Sequence, residues 1–500
     1  MLGLLPLKTL SQYSILPWMI RCKVRNVVLI FLLLIGFNHI VFTQKVIVSN
    51  DINIRTNYAY DIFPDVKGRN IFYHDRGDQH VFEIYDEDLK FITTNQIEIP
   101  YKQAKVVGMT KTDSLVHVYF QWKESNQSYI SAFAINHKAE PIDSANVIYT
   151  QEFMYSPSIR YAHSEDKSLV VLFWVESRFF NYLVIKNDMS YDVIDSGKID
   201  SKEFNFKSDF VGLSLSNDAM IYLVGQKSRS WTKNSDNQLM VMSIQNSQYA
   251  IRHFMCSEYD ISQAKGQYDN VNQQFILSGL LLKNNEDACV GYFVHRLSEN
   301  DDSFSVQINP QTFNMEFISE VYGKKSNKIK KIDDVYLDKM VVRRDGGVIL
   351  LMEIKKEFLR RAGSSAMSRF GDVYNGRGFV DYYNEDIILV SNNPDGSEHW
   401  KKVLYKKQFS QDDNAIYSSY FLFITPSRMK IIYNDEIKTN NTVSEYVVDP
   451  FGTFERKSLL STQYQNLKLR FRDAIQVSSG AFIVPSESSH KINLVKIEYP

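Results

Sequence analysis

Short apolar segments recur in this chain in groups of four, about 50 residues per group, with turn residues between them and almost no helical periodicity. The pattern is plainest over Asp386–Asn434. Ile387, Leu389 and Val390 make an apolar run that closes on the turn cluster Asn392-Asn393-Pro394-Asp395-Gly396. Trp400, Val403 and Tyr405 occupy the return run, and Tyr417–Ile424 with Met429–Tyr433 make a second hairpin around Pro426-Ser427. Strands joined without helical crossovers pair antiparallel. Two groups also repeat in register. Trp122-Lys123-Glu124-Ser125 matches Trp174-Val175-Glu176-Ser177, and Ile142-Asp143-Ser144 matches Ile194-Asp195-Ser196, both at an offset of 52 residues.

In chain order, Lys45–Asn50 is an orphan strand. Four-strand units follow over Tyr58–Ile99, Ala104–Tyr149, Ser158–Ile199 and Phe210–Cys256. The fifth unit reads as Gln274–Leu282, Cys289–His295, Phe304–Ile308 and Phe313–Ile318. A lysine-rich connector, Lys324–Lys331, separates it from the sixth: Tyr336–Arg343, Val348–Ile354, Asp386–Val390 and Trp400–Tyr405, with an insertion over 355–384. The seventh is Ile416–Ile424, Met429–Tyr433, Glu445–Val448 and Phe454–Leu460. The last unit has only three strands, Leu469–Val477, Ala481–Val484 and Ile492–Ile497, and the orphan can supply its fourth. Repeated four-stranded units of this kind are the blades of a β-propeller. The expectation is therefore an all-β propeller of eight four-stranded blades, closed by the N-terminal strand, which covers an otherwise open edge. A seven-bladed ring is the alternative. Two packed β-sandwiches are disfavoured by the uniform repeat and the lack of a linker. Weak helical periodicity longer than two turns occurs only near Lys355–Phe370.

Residues 1–43 read as a signal peptide: Arg21, Lys23 and Arg25, then the 11-residue apolar core Val27–Phe37, then Val41-Phe42-Thr43 ahead of Gln44, with Met19 an alternative start. The core is shorter than the roughly 20 apolar residues of a spanning helix. Membrane contact is expected only if this segment stays uncleaved. Residues 44–500 are then a single propeller domain, expected as a monomer in the periplasm, at the cell surface or secreted. Without residues 1–43 the chain holds 53 basic groups against 58 acidic ones, a net charge of −5, which argues against nucleic acid as a partner. Cys256 and Cys289 remain after Cys22 leaves, and read as separate thiols rather than a disulfide.

Calling the strands of a blade a to d from the centre outward, b–c loops and d–a connections share one face of a propeller; a–b and c–d hairpins share the other. Here the b–c loops are the long ones: Gln226–Asn237, Asp435–Asn441 and above all Lys355–Asn384, with the d–a connection Gln408–Asn414 beside it. Loops on a rigid scaffold carry binding. Arg360, Arg361, Arg369 and Arg377, with Tyr382, suit carboxylate, sugar or protein partners. Asp412 and Asp413, next to Tyr417, are placed to pair with those arginines. These eight residues are the candidate binding set; a lid without ligand and a solvated turn are the bland alternatives.

No catalytic or metal-binding residue is nominated, and no cofactor is expected. Asn393–Trp400, NPDGSEHW, approaches the aspartate box of sialidase-like propellers, but Gly396 directly follows Asp395 and no second copy exists, so it reads as a hairpin turn with a packing Trp. No histidine stands at metal spacing with a second His or Cys. Asp75-Arg76-Gly77-Asp78 is too short for an EF-hand loop, and neither a nucleophile elbow nor a P-loop is present.

The stretch 386–436, with DIILVSNNPDGSEHW and DDNAIYSSYFLFITPSRMKIIYND, resembles the corresponding region of secreted propeller-like proteins of Bacteroidota. The resemblance implies fold and compartment and carries no activity. Two functions compete: a binding or scaffold propeller recognising a protein or glycan of the cell envelope, or a glycan-acting hydrolase or lyase with its site at the channel mouth. A glycosidase needs two facing carboxylates. Glu124 and Glu176 recur at equivalent strand ends, which points to structure, so the non-enzymatic reading is preferred.

Overall fold

The two middle strands of most sequence units are buried on both faces, and the outer strand is far more exposed. In the second unit Val116–Glu124 and Gln127–Ile135 are almost wholly buried, while Asn146–Glu152 is not. A sheet of that kind must be covered on both sides, and stacking the units face to face around a centre does so. The computed structural model, which describes residues 44–77, 79–99, 101, 104–152, 157–227, 238–283, 288–298, 304–323, 331–360, 379–436, 442–460, 464, 466–488 and 490–500, is an eight-bladed propeller of four-stranded antiparallel sheets. Seven blades are ruled out. Neighbouring blades share apolar clusters: Phe82, Phe120 and Trp122 between blades one and two, Phe173, Phe204 and Met240 between three and four.

The ring closes as the strand count requires. Lys45–Val48 is the outer strand of blade eight, after Ile475–Gln476, Ala481–Ser488 and Lys491–Glu498. Ile52–Asn53 adds a second contact on the same strand, Ile52 facing Ile492. Ser49 fixes the register: its N–H donates to the Leu494 carbonyl at 2.9 Å, and its Oγ accepts from Leu494 N at 2.8 Å. The Lys491–Asp51 ion pair at 2.8 Å flanks it.

The 52-residue repeat is structural in its first half. Trp122 opposes Tyr129 and Trp174 opposes Asn181, and both hairpins turn on a serine with positive φ, Ser125 at 53° and Ser177 at 55°. Its second half is not. Ser196 lies inside an outer strand, opposite Leu183, whereas Ile142–Ser144 precedes the outer strand that begins at Asn146.

Blade five corrects the sequence reading most. Its innermost strand is Tyr259–Asp269, missed because it is polar and broken by a bulge between Ser262 and Lys265. Its outer strand is only Gln311–Thr312, which Gly291 admits: a Cβ there would stand 2.1 Å from the Gln311 carbonyl oxygen. Ser305–Gln307 belongs to blade four, pairing in parallel with His253–Met255. The expected strand Phe313–Ile318 is instead the start of a helix, Met315–Tyr322. Asn314 caps it through Phe317 N, Gly323 ends it at φ 60°, and Phe317, Ile318 and Val321 seal the cluster between blades five and six.

The insertion in blade six corrects the second expectation. Val348–Arg360 and Phe379–Asn392 run on past the blade as a paired ribbon, Lys355 facing Asn384 and Arg360 facing Phe379, so no helix forms at the start of Lys355–Phe370. Gln408–Gln411, expected as loop, adds a third strand against Asp381–Asn384. Cys256 and Cys289 are free thiols, and burial pushes the Cys289 thiol up to about 12.

Candidate functional site

Of the eight candidate residues, Arg361, Arg369 and Arg377 lie outside the described residues, as does the side chain of Arg360 at the ribbon's last described pair. The other four each make bonds of their own among the described residues. Asp412 is spent on backbone: its Oδ1 accepts from Val380 N at 2.8 Å and its own N donates to the Val380 carbonyl at 3.0 Å. Asp413 accepts from Ala415 N at 2.9 Å, an Asx turn, and Tyr382 donates to Asn414 Oδ1 at 3.4 Å. Tyr417 points elsewhere, its hydroxyl 3.5 Å from the Glu487 carbonyl.

Tyr417 thus leads to a site the sequence reading missed. On this same face, the d–a connections entering blades eight and one meet in a cleft of about 610 Å³, lined by Asn57–Ile62, Arg470 and Arg472–Ile475. Its floor is an ion set. Arg470 is held by Asp473 at 2.5 Å and by the Glu487 carboxylate, and its guanidinium lies 5.5 Å over the Tyr60 ring. The Tyr60 hydroxyl donates to Asp473 Oδ2 at 3.1 Å. Burial, then the Asp473 carboxylate, pushes the Tyr60 phenol far above its ordinary range, so it stays a donor. Arg470 Nε is buried without a hydrogen-bond partner among the described residues.

The wall from blade one is anchored from behind. Asn57 Nδ2 bonds the buried His74 Nδ1 at 2.7 Å, His74 Nε2 stands 3.2 Å from Glu83, and Arg76 Nε donates to Asn57 Oδ1 at 3.2 Å. With Nδ1 accepting from Asn57, Nε2 faces the Glu83 carboxylate. Tyr58 is therefore fixed in backbone yet 83% exposed. Its ring rests on Gly77, where φ is 81° and an added Cβ would come within 3.1 Å of Tyr58 Cε2. Deeper in, burial raises the Asp61 carboxyl above the usual carboxylate range. At the rim, Arg472 is exposed; it donates to the Asn414 carbonyl at 3.4 Å and makes no ion pair among the described residues.

The cleft thus offers an exposed aromatic face, a partly buried carboxyl, and a cation with no carboxylate partner among the described residues. It contains no metal-ligand cluster among the described residues. The signal available in sequence was NYAYD and RFRD, Asn57–Asp61 and Arg470–Asp473: Tyr, Arg and Asp concentrated in two d–a connections of the chosen face. The aspartate-box look-alike is a turn with Gly396 at φ 87°, and Trp400 packs on the next blade, its Nε1 donating to the Pro450 carbonyl at 2.9 Å.

No protein-family model and no curated protein matches the chain. Among solved structures, an oligogalacturonate lyase in complex with manganese is similar at TM-score 0.37 and 9% identity, over 91% of this chain and 98% of its own. The Dos1 propeller is similar at 0.43 and 9% identity, over 90% and 94%. A protein of unknown function from Bacteroides caccae is similar at 0.27 and 10% identity, over 65% and 94%. At these scores and identities the likenesses carry nothing about function, and the fold rests on the blade topology itself.

Proposed function

We propose that this chain is an extracytoplasmic binding propeller, of the kind secreted by Bacteroidota, and that it recognises a glycan of the cell envelope in the cleft between blades eight and one. One observation carries this reading: Tyr58 is 83% exposed and held in place, at the edge of a polar cleft. A fixed, solvent-facing aromatic ring loses little entropy on covering the apolar face of a sugar. The reading is tested by probing the chain without residues 1–43 on a glycan panel and in an envelope pull-down, beside Tyr58→Ala. Retention of a glycan by the parent and its loss in the variant, at equal melting temperature, supports it. Capture of a protein alone, insensitive to Tyr58→Ala, overturns it.

A hydrolase or lyase is the second reading, and the raised Asp61 carboxyl favours it, since a general acid needs that poise. The other cleft carboxylate, Asp473, is engaged by both Arg470 and Tyr60, which leaves Asp61 without an evident partner in acid–base work. Product formation from a bound glycan, lost in Asp61→Asn, would establish the enzyme.

A further inference from the structure

We infer that the cleft selects an acidic saccharide, with Arg472 pairing the sugar carboxylate while Tyr58 covers the ring. This rests on the glycan-binding reading above. The cleft's two arginines have different standing. Arg470 is neutralised: Asp473 and Glu487 both hold it, and the ring of Tyr60 lies beneath it. Arg472, two residues on, points to the rim, where its only bond among the described residues is a long one to the Asn414 carbonyl. A guanidinium presents a planar fork of donors that fits a carboxylate through two parallel bonds. The carboxyls described in the cleft do not pair with it: Asp473 is committed to Arg470 and Tyr60, and Asp61 accepts from Ile62 N at 2.8 Å. Tyr58 and Arg472 both line the cleft, the first from the connection that enters blade one, the second from the 3-10 turn Phe471–Asp473 that enters blade eight.

Titration calorimetry with an oligoglucuronate and the neutral glucan oligomer of the same linkage tests this, on the parent chain, Arg472→Gln and Tyr58→Ala. The parent is expected to bind the acidic oligomer about tenfold more tightly, the size of one charge-assisted bond. The excess should shrink as salt rises. Arg472→Gln should bring the acidic sugar down to the neutral level without changing the neutral one; Tyr58→Ala should weaken both. Equal affinity for the two sugars in the parent, or an excess that survives Arg472→Gln, overturns the acidic selection and leaves the glycan reading standing. Binding of neither sugar overturns both. Displacement of the sugar by polyglutamate at equal carboxylate concentration overturns the saccharide as the ligand class.

Discussion

Two charge clusters lie toward the same face of the propeller, and only one of them is open. At the base of the ribbon, Glu353 and Lys406 are fully buried and pair at 2.6 Å; Glu353 also takes Lys355 at 3.0 Å and Ser419 Oγ at 3.0 Å. Lys406 reaches the Asn384 carbonyl at 3.1 Å and Gln408 Oε1 at 2.8 Å, and Lys355 reaches Asp338 at 3.1 Å. Burial draws the Lys406 amine down against the pull of Glu353. In the cleft, Arg470, Asp473 and Glu487 keep 16%, 32% and 25% of their side-chain surface in water. The same chemistry thus does two jobs. The sealed pair at its centre locks the ribbon and the strand Gln408–Gln411 to blade six, because neither Glu353 nor Lys406 can be left alone in an apolar interior. The open cluster has solvent to fall back on, and its geometry is free to serve a ligand.

The largest expected effect breaks the sealed cluster. Glu353→Leu or Lys406→Met alone strands a buried charge and should cost about 3–5 kcal/mol in denaturant unfolding. Changing both at once removes the charges together and should recover most of that loss. A single variant as stable as the parent would show that water reaches this site.

A second sealed group sharpens the contrast through pH. His117, in blade two, bonds the Tyr191 hydroxyl of blade three at 2.9 Å, and burial draws its imidazole down to about 4 from an ordinary 6.5. Between those values the unfolded chain takes up a proton that the folded chain refuses. The stability is therefore complete above pH 6.5 and lost as pH falls toward 4, by about 3 kcal/mol in all. His117→Gln should flatten that part of the stability–pH curve. A slope unchanged by the substitution would assign it to other groups.

These contrasts also explain what the sequence could tell. Apolar alternation and turn residues are local, so blades one to four and seven were legible, and so was the closing strand, because a missing fourth strand is a counting argument. Blade five was not. The strand Tyr259–Asp269 is held by Gln263, which donates to the Val335 carbonyl at 3.0 Å and accepts from Leu337 N at 2.8 Å, a long-range support that no local pattern reveals. The helix at Met315 was signalled by its Asn314 cap and terminal Gly323, but the aromatic content of Phe313–Ile318 read as strand. For the cleft, the tyrosines and arginines of Asn57–Asp61 and Arg470–Asp473 stand in the sequence, but which arginine lacks a carboxylate among the described residues is a fact of three-dimensional pairing.

The smallest expected effect is the most telling for the open cluster. Tyr58 and Arg472 project from segments fixed by other residues: Asn57 is anchored on His74 and Arg76, and the Arg470 backbone N donates to the Pro485 carbonyl at 2.8 Å. Exposed side chains on an independently held backbone shift stability by less than about 0.5 kcal/mol when removed. Tyr58→Ala and Arg472→Gln should therefore unfold with the parent in denaturant, separately and together. Their double variant should also be additive in stability, since neither contacts the buried core. If either substitution instead costs as much as breaking the sealed pair, its side chain is holding blades eight and one together. The difference between the two clusters would then be one of exposure alone, and a ligand would have to be sought elsewhere on this face.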